Sequence, residues 1–265
     1  MNYINIILDK LKRDGIWLTA AAIPKYFSRP LLAYKRMLTY KRMLAHNKML
    51  QRETLQERFS EIYEKNFWGS DESGSGEGSE IEYTEPLRNW LVKAIPRYQI
   101  EKIVDAPCGD FNWMRFVLPK VDVEYFGYDI VESVVSKNKE VYSSKNVYFG
   151  VANICKDELP KCDLLIVRDC LFHLSYKDIN KFLDNITRVD YKYLLTTTHI
   201  LDKDFVNKDI ITGDYRLINL FVEPFNFKNE TIIEFVDDNP KGHKTPRQMI
   251  FIAKEDVPSS INYNV

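Results

Sequence analysis

The chain of 265 residues is 45% hydrophobic and 28% charged, which excludes a wholly disordered protein and leaves room for one large domain with an appendage. Its formal net charge of -1 conceals an asymmetry, because residues 1–52 hold eleven Lys/Arg against only Asp9 and Asp14. The rest of the chain is correspondingly acidic, so nucleic acid is not an expected partner of the whole protein.

The basic segment contains a near repeat, Tyr34–Leu38 (YKRML) and Tyr40–Leu44 (YKRML), and its pattern predicts helix without a coiled-coil heptad. Three readings stand open for residues 1–52: a helical appendage or dimer contact; a basic surface that rests on anionic membrane, a polyanionic glycan or a glycan-assembly complex; and, least favoured because no reading module accompanies it, phosphate contact with nucleic acid. The longest early apolar run, Gly15 to Pro24, is far shorter than the ~20 residues of a membrane span, and no signal-peptide pattern precedes it. Cys108, Cys155, Cys162 and Cys170 have no CxxC spacing, which predicts reduced thiols and no metal site. A cytoplasmic protein, peripheral at most to the inner face of the membrane, is the expectation.

Next, Phe67-Trp68-Gly69 precedes a Gly/Ser-rich stretch, Ser70 to Ser79, which reads either as a flexible linker or as a lid over a bound ligand. A helix is predicted to start near Thr84-Glu85-Pro86, where Pro suits the first turn. From there strands and helices alternate. Predicted strands cover 102–107, 124–130, 147–153, 163–168 and 191–197, with helices from 112, over 131–142 and over 177–188 between them. The short runs 231–236 and 248–253 suit an antiparallel hairpin. The pattern indicates a doubly wound, Rossmann-like α/β sheet of seven strands behind an N-terminal helical extension. The expected organisation is a basic extension over 1–58, a lid and helix over 59–100, and a core over 101–265.

In such a sheet, ligands bind beyond the carboxyl ends of the strands. The first strand runs into Asp105-Ala106-Pro107-Cys108-Gly109-Asp110, which has one glycine where a dinucleotide fingerprint has three. A diphosphate is disfavoured there, whereas S-adenosylmethionine, cationic and phosphate-free, tolerates the acids. Asp129 lies twenty residues beyond Gly109, as expected of a carboxylate that accepts ribose hydroxyls, and Asn153 stands where an amide can meet an adenine edge. Each of these taken singly is also compatible with a helix cap.

The stretches VDAPCGDFNWM (104–114), EYFGYDIVESVV (124–135) and DLLIVRDCLFHLS (163–175) resemble the class I S-adenosylmethionine-dependent methyltransferases. The stretch 59–227 is similar to a bacterial subgroup linked to surface-polysaccharide synthesis. It shares an aromatic-Trp-Gly before Ser75-Gly76-Glu77-Gly78-Ser79, the run Arg168 to Ser175, Leu194 to Thr198, and Tyr215 to Leu220. The resemblance implies a cofactor set of Trp68, Ser75, Gly76, Asp105, Pro107, Gly109, Asp129, Ile130, Asn153, Ile154 and Arg168. Asn153 departs from the Asp usual at that position. Arg168 is alternatively a structural ion-pair partner.

For transfer to a sugar hydroxyl, a base is expected among Asp169, His173 and His199. Asp169 and His173 are the catalytic candidates, on one face if the turn between them is helical, with Asp169 either orienting His173 or binding acceptor hydroxyls. His199, Tyr215, Arg216 and Asn219 are the candidates for acceptor contact, Arg216 because Arg binds anionic groups bidentately. Thr196, Thr197 and Thr198 are expected to line the same pocket, and Tyr63, Trp68 and the Gly74–Ser79 loop to form a lid. The expected activity is O-methylation of a sugar or surface-glycan component. Methylation of nucleic acid or another small molecule, and a non-catalytic cofactor-binding subunit, are the alternatives.

Overall fold

The computed structural model describes residues 28–202, 204–238 and 246–263. Chain contacts divide it into one unit ending at Lys48 and a second running from Met49. The apolar run Gly15 to Pro24 and the charges before residue 28 lie outside the described residues. Helix α1 (Ser28–Leu50) carries the YKRML repeat, with Met37, Tyr40, Met43 and Leu44 exposed. No helix among the described residues is long and apolar enough to cross a membrane.

The larger unit opens with α2 (Leu55–Glu64). Its start is fixed by a capping box in which Thr54 Oγ1 accepts from the Glu57 amide and the Glu57 carboxylate accepts from the Thr54 amide. Helix α3 (Glu85–Arg97) follows, with Pro86 in its first turn and Leu87, Leu91 and Ile95 on its buried face. Then come β1 (Lys102–Asp105), β2 (Glu124–Asp129), α4 (Glu132–Tyr142), β3 (Val147–Val151) and β4 (Leu164–Val167). Helix α5 (Tyr176–Thr187), β5 (Tyr193–His199), β6 (Ile232–Asp237) and β7 (Arg247–Ala253) complete the core.

The strands form one seven-stranded sheet in the order β3-β2-β1-β4-β5-β7-β6. Strands β1 to β5 are parallel, while β7 runs antiparallel between β5 and β6. Because side chains alternate across a sheet, consecutive residues feed opposite cores. Ile103, Leu164, Ile166, Leu195 and Phe251 face α3, whereas Val104, Leu165, Val167, Leu194 and Ile252 face Ile179, Phe182, Leu183 and Ile186 of α5. This is the expected Rossmann-like architecture, closed by the expected hairpin.

Two expectations for local structure fail. No α-helix grows from Asn112. Phe111, Trp113, Met114 and Val117 are all buried, so the segment is tied to the core through two short 3-10 turns, 114–116 and 118–120. Nor is Ser70 to Ser79 a free linker. Ser70, Ser73 and Ser79 are buried, and a 3-10 turn at Glu77–Ser79 packs its end onto the domain.

Candidate active site

The chain climbs β1, continues outward through β2 and β3, then crosses back to β4. The switch point therefore lies between β1 and β4, where a crevice opens beyond the strand ends. A cavity of about 250 Å³ occupies it.

Its floor is the turn after β1. Cys108 N donates to the Tyr128 carbonyl at 2.7 Å, and Gly109 N donates to Asp129 Oδ2 at 3.0 Å, so the turn is strapped onto the end of β2. Gly109 has φ +56, and a Cβ there would run into the Ser75 hydroxyl. That one position requires glycine both for its backbone and for the approach of the loop above it. The other carboxylate oxygen of Asp129 accepts from Val131 N at 2.9 Å, while Asp105 accepts from the Tyr125 hydroxyl at 2.8 Å. Burial raises both acids, Asp105 to about 7 and Asp129 to about 6, against the lowering effect of these donors.

Asp105, Pro107, Gly109, Asp129, Ile130, Asn153 and Ile154 all line the cavity, as do Trp68, Ser75, Gly76 and Arg168. Asn153 does so while acting as a turn cap, its Oδ1 accepting from Cys155 N at 2.9 Å. Arg168 is held by ion pairs with Asp169 at 3.1 Å and Asp238 at 2.8 Å, and it donates to the Gly78 carbonyl at 2.7 Å. Its role in the structure is thus to tie the end of β4 to the loop. Asp110 does not line the cavity; its carboxylate is spent on Ser73, Gly74 and Ser75.

At the far end stands His173, at the close of the 3-10 turn Leu171–His173, between the rings of Trp68 (5.6 Å), Phe172 (4.6 Å) and Tyr215 (5.8 Å). Its Nδ1 lies 2.8 Å from the Asp214 carbonyl oxygen, which can only accept. The Nδ1 proton is thereby fixed, and Nε2 becomes the basic atom. Burial holds the imidazole below its ordinary value. Asp169 does not orient it. Burial alone would raise the Asp169 carboxyl, but Arg168 and Arg247 outweigh that and keep it below its usual range, while Thr197 Oγ1 donates to it at 3.2 Å.

Several expected acceptor contacts are elsewhere. Among the four candidates only Tyr215 lines the cavity. His199 lies behind it, Nε2 3.5 Å from the Tyr215 hydroxyl and Nδ1 3.1 Å from the Ile218 amide that donates to it, with burial driving it to about 4. Arg216 packs 5.0 Å over the Tyr176 ring and donates to the Leu171 carbonyl at 3.3 Å. Asn219 braces the segment after β5, exchanging hydrogen bonds with Asn207 at 2.8 and 3.0 Å. Thr196, Thr197 and Thr198 are buried and turned to Val167, Asp169 and Leu220 rather than to the cavity.

Sequence reasoning also missed lining residues. Leu55 and Phe59 of α2 reach the cavity, and so does Arg247, which pairs with Asp169 at 2.9 Å and lies 4.4 Å over the Tyr83 ring. A usable signal existed for Arg247: it opens an antiparallel partner of β5, and its register opposite His199 delivers it to the ligand end of the sheet. The described residues contain no group of His, Cys, Asp and Glu able to hold a metal ion.

No protein-family model matches the chain, and no curated protein matches it in sequence. Solved structures do resemble it. Human N-acetylserotonin methyltransferase in complex with SAM superposes with a TM-score of 0.52 at 15% identity, over 82% of this chain and 67% of that one. PigF with SAH gives 0.51 at 12% identity, over 78% of this chain and 61% of that one. At these identities the likeness defines the fold: this is the Rossmann-like seven-stranded sheet of the class I methyltransferases, with N-terminal helices.

Proposed function

We propose that the protein is an S-adenosylmethionine-dependent methyltransferase that modifies a hydroxyl oxygen of a sugar or surface-glycan component. The observation that carries the reading is one continuous cavity. It runs from a single-glycine turn flanked by the buried acids Asp105 and Asp129 to a neutral His173 under the Trp68 ring. The lining fits a cationic nucleoside: the turn 105–112 itself bears no lysine or arginine for a diphosphate, and Asp129 keeps lone pairs for ribose hydroxyls. The two similar structures carry SAM and SAH in their own sites, which supports the same cofactor here.

When bound, S-adenosylmethionine supplies a methyl group already activated by its sulfonium. The work left to the chain is orientation, exclusion of water and one proton. Orientation alone can contribute roughly 7–11 kcal/mol to such a reaction. Trp68 and the Ser75–Ser79 loop roof the cavity against water. His173 Nε2 takes the acceptor's hydroxyl proton, and the Asp214 carbonyl keeps the imidazole in the tautomer that can do so. Asp169, paired with Arg247 at the cavity wall, binds acceptor hydroxyls.

Aromatic faces at Trp68, Phe172 and Tyr215 suit the apolar face of a sugar ring. They equally favour a second acceptor class, a planar aromatic alcohol, which is also the kind of molecule that the name N-acetylserotonin methyltransferase indicates for that protein. A place in the cytoplasm at the inner membrane face belongs to the same reading. Its support is the charge of residues 1–52 and the exposed Tyr40, Lys41, Arg42 and Leu44 of α1.

Titration calorimetry with S-adenosylmethionine tests the cofactor site. Asp129→Ala is expected to weaken binding by roughly one to two orders of magnitude, the worth of hydrogen bonds to a charged group. An unchanged dissociation constant in that variant would sink the assignment.

A further inference from the structure

We propose that Asp110 is a positioning residue that latches the Ser70–Ser79 loop onto the cofactor turn, so that floor and roof of the cavity close as one unit. The inference rests on the cofactor reading above for its consequence, though not for its geometry.

Asp110 follows Gly109 directly, yet it faces away from the cavity and into the loop. Ser73 Oγ lies 3.0 Å from both of its carboxylate oxygens, Gly74 N donates at 2.8 Å, and Ser75 Oγ donates at 3.1 Å. The Asp110 amide in turn donates to Ser75 Oγ at 3.0 Å. Ser75 has one hydroxyl proton and gives it to Asp110, so the Tyr63 hydroxyl, 2.7 Å away, must be a donor to Ser75. Every proton in the latch then has a place. Ser73 is 1% exposed, while Gly74, Ser75 and Asp110 are half-buried, so the Ser73 end of the latch is the best shielded from water.

The other end of the loop is held separately, through the Arg168 guanidinium on the Gly78 carbonyl. Between the two anchors lie Ser75, Gly76 and Glu77, all lining the cavity, with Trp68 so close over Gly76 that a Cβ there would come within 2.9 Å of the Trp68 Cβ. A cavity of about 250 Å³ lies below the ~300–1,000 Å³ usual for small-molecule sites. Any outward movement of the roof would enlarge it. The Asp110 contacts, together with those of Asn112 Nδ2 to the Glu72 carboxylate (2.6 Å) and the Ser79 carbonyl (3.0 Å), couple such movement to the turn beyond β1. An acid after the glycine, unhelpful to any diphosphate, is thus explained by the loop it holds.

The test is hydrogen–deuterium exchange on the full chain without ligand, comparing wild type with Asp110→Ala. Amides of residues 70–79 should exchange about tenfold faster or more in the variant, as expected for loss of several charge-assisted bonds, with the strands 102–105 and 164–167 unchanged. With S-adenosylmethionine present, the variant should release cofactor about tenfold faster and show a raised KM for it, with most of kcat recovered at saturating cofactor. Loop exchange equal to wild type overturns the proposal. Should the strands also lose protection, Ser73→Ala removes two contacts from the loop side alone, and unchanged loop exchange there overturns it. Failure of the wild type to bind S-adenosylmethionine would sink the cofactor reading, while the exchange result would still judge the latch.

Discussion

His173 and Asp129 both titrate in the acid range, and burial acts on them in opposite directions. The imidazole is pushed below its ordinary value, so it remains a neutral base at pH 7 and is protonated only at more acid pH than a free histidine. Turnover at saturating cofactor should therefore persist as pH falls through 6.5 and decline below it. The Asp129 carboxyl is pushed up to about 6, so affinity for the cofactor should weaken as pH falls through about 6 and the acceptor of ribose hydroxyls is lost. A pH series separates the two, kcat reporting His173 and the cofactor KM reporting Asp129. In His173→Ala the expected outcome is a fall in kcat of ~100-fold or more with cofactor affinity within a few-fold of wild type. Equal turnover would remove His173 from the proton transfer. The raised acids also carry a cost. Their favourable contribution to folding is complete below the ordinary carboxylate range and is lost as pH rises through about 6 for Asp129 and about 7 for Asp105.

At the scale of elements, α5 shows what the sequence makes plain. Ile179, Phe182, Leu183 and Ile186 recur at helical spacing, Ser175 caps the first turn by accepting from Asp178 N, and all four apolar residues are buried against the sheet. Phe182→Ala should cost about 3–5 kcal/mol by chemical denaturation, read as a lower midpoint with unchanged slope. A loss under ~1 kcal/mol would contradict the packing described. The segment after Asn112 was not legible in the same way. Its apolar residues are close enough to helical spacing to predict a helix, but they serve as separate anchors on two short 3-10 turns. The Ser70–Ser79 loop misleads by composition. Gly and Ser suit a linker, but Asp110, 37 residues beyond Ser73 in sequence, holds the Ser73 and Ser75 hydroxyls, and Glu80 holds that of Ser70.

Across the whole molecule, the succession of strands and the acids at strand ends could be read from pattern, because apolar runs must be buried in a parallel sheet and ligands must lie beyond their carboxyl ends. The acceptor side could not, since it depends on which way side chains of the long segment after β5 turn. Tyr215 faces the cavity while Arg216, its neighbour, points to Tyr176, and nothing local distinguishes the two. Likewise Asp214 orients His173 through its carbonyl, a group every residue possesses, and so leaves no mark in the sequence. What unites floor, roof and base is a claim about one reaction. Its most direct test is transfer of label from methyl-labelled S-adenosylmethionine to a panel of nucleotide sugars, glycan fragments, sugar phosphates and aromatic alcohols. Label is expected on a hydroxyl oxygen of a sugar acceptor, dependent on His173; bound cofactor with no transfer to any hydroxyl in the panel would contradict that reaction.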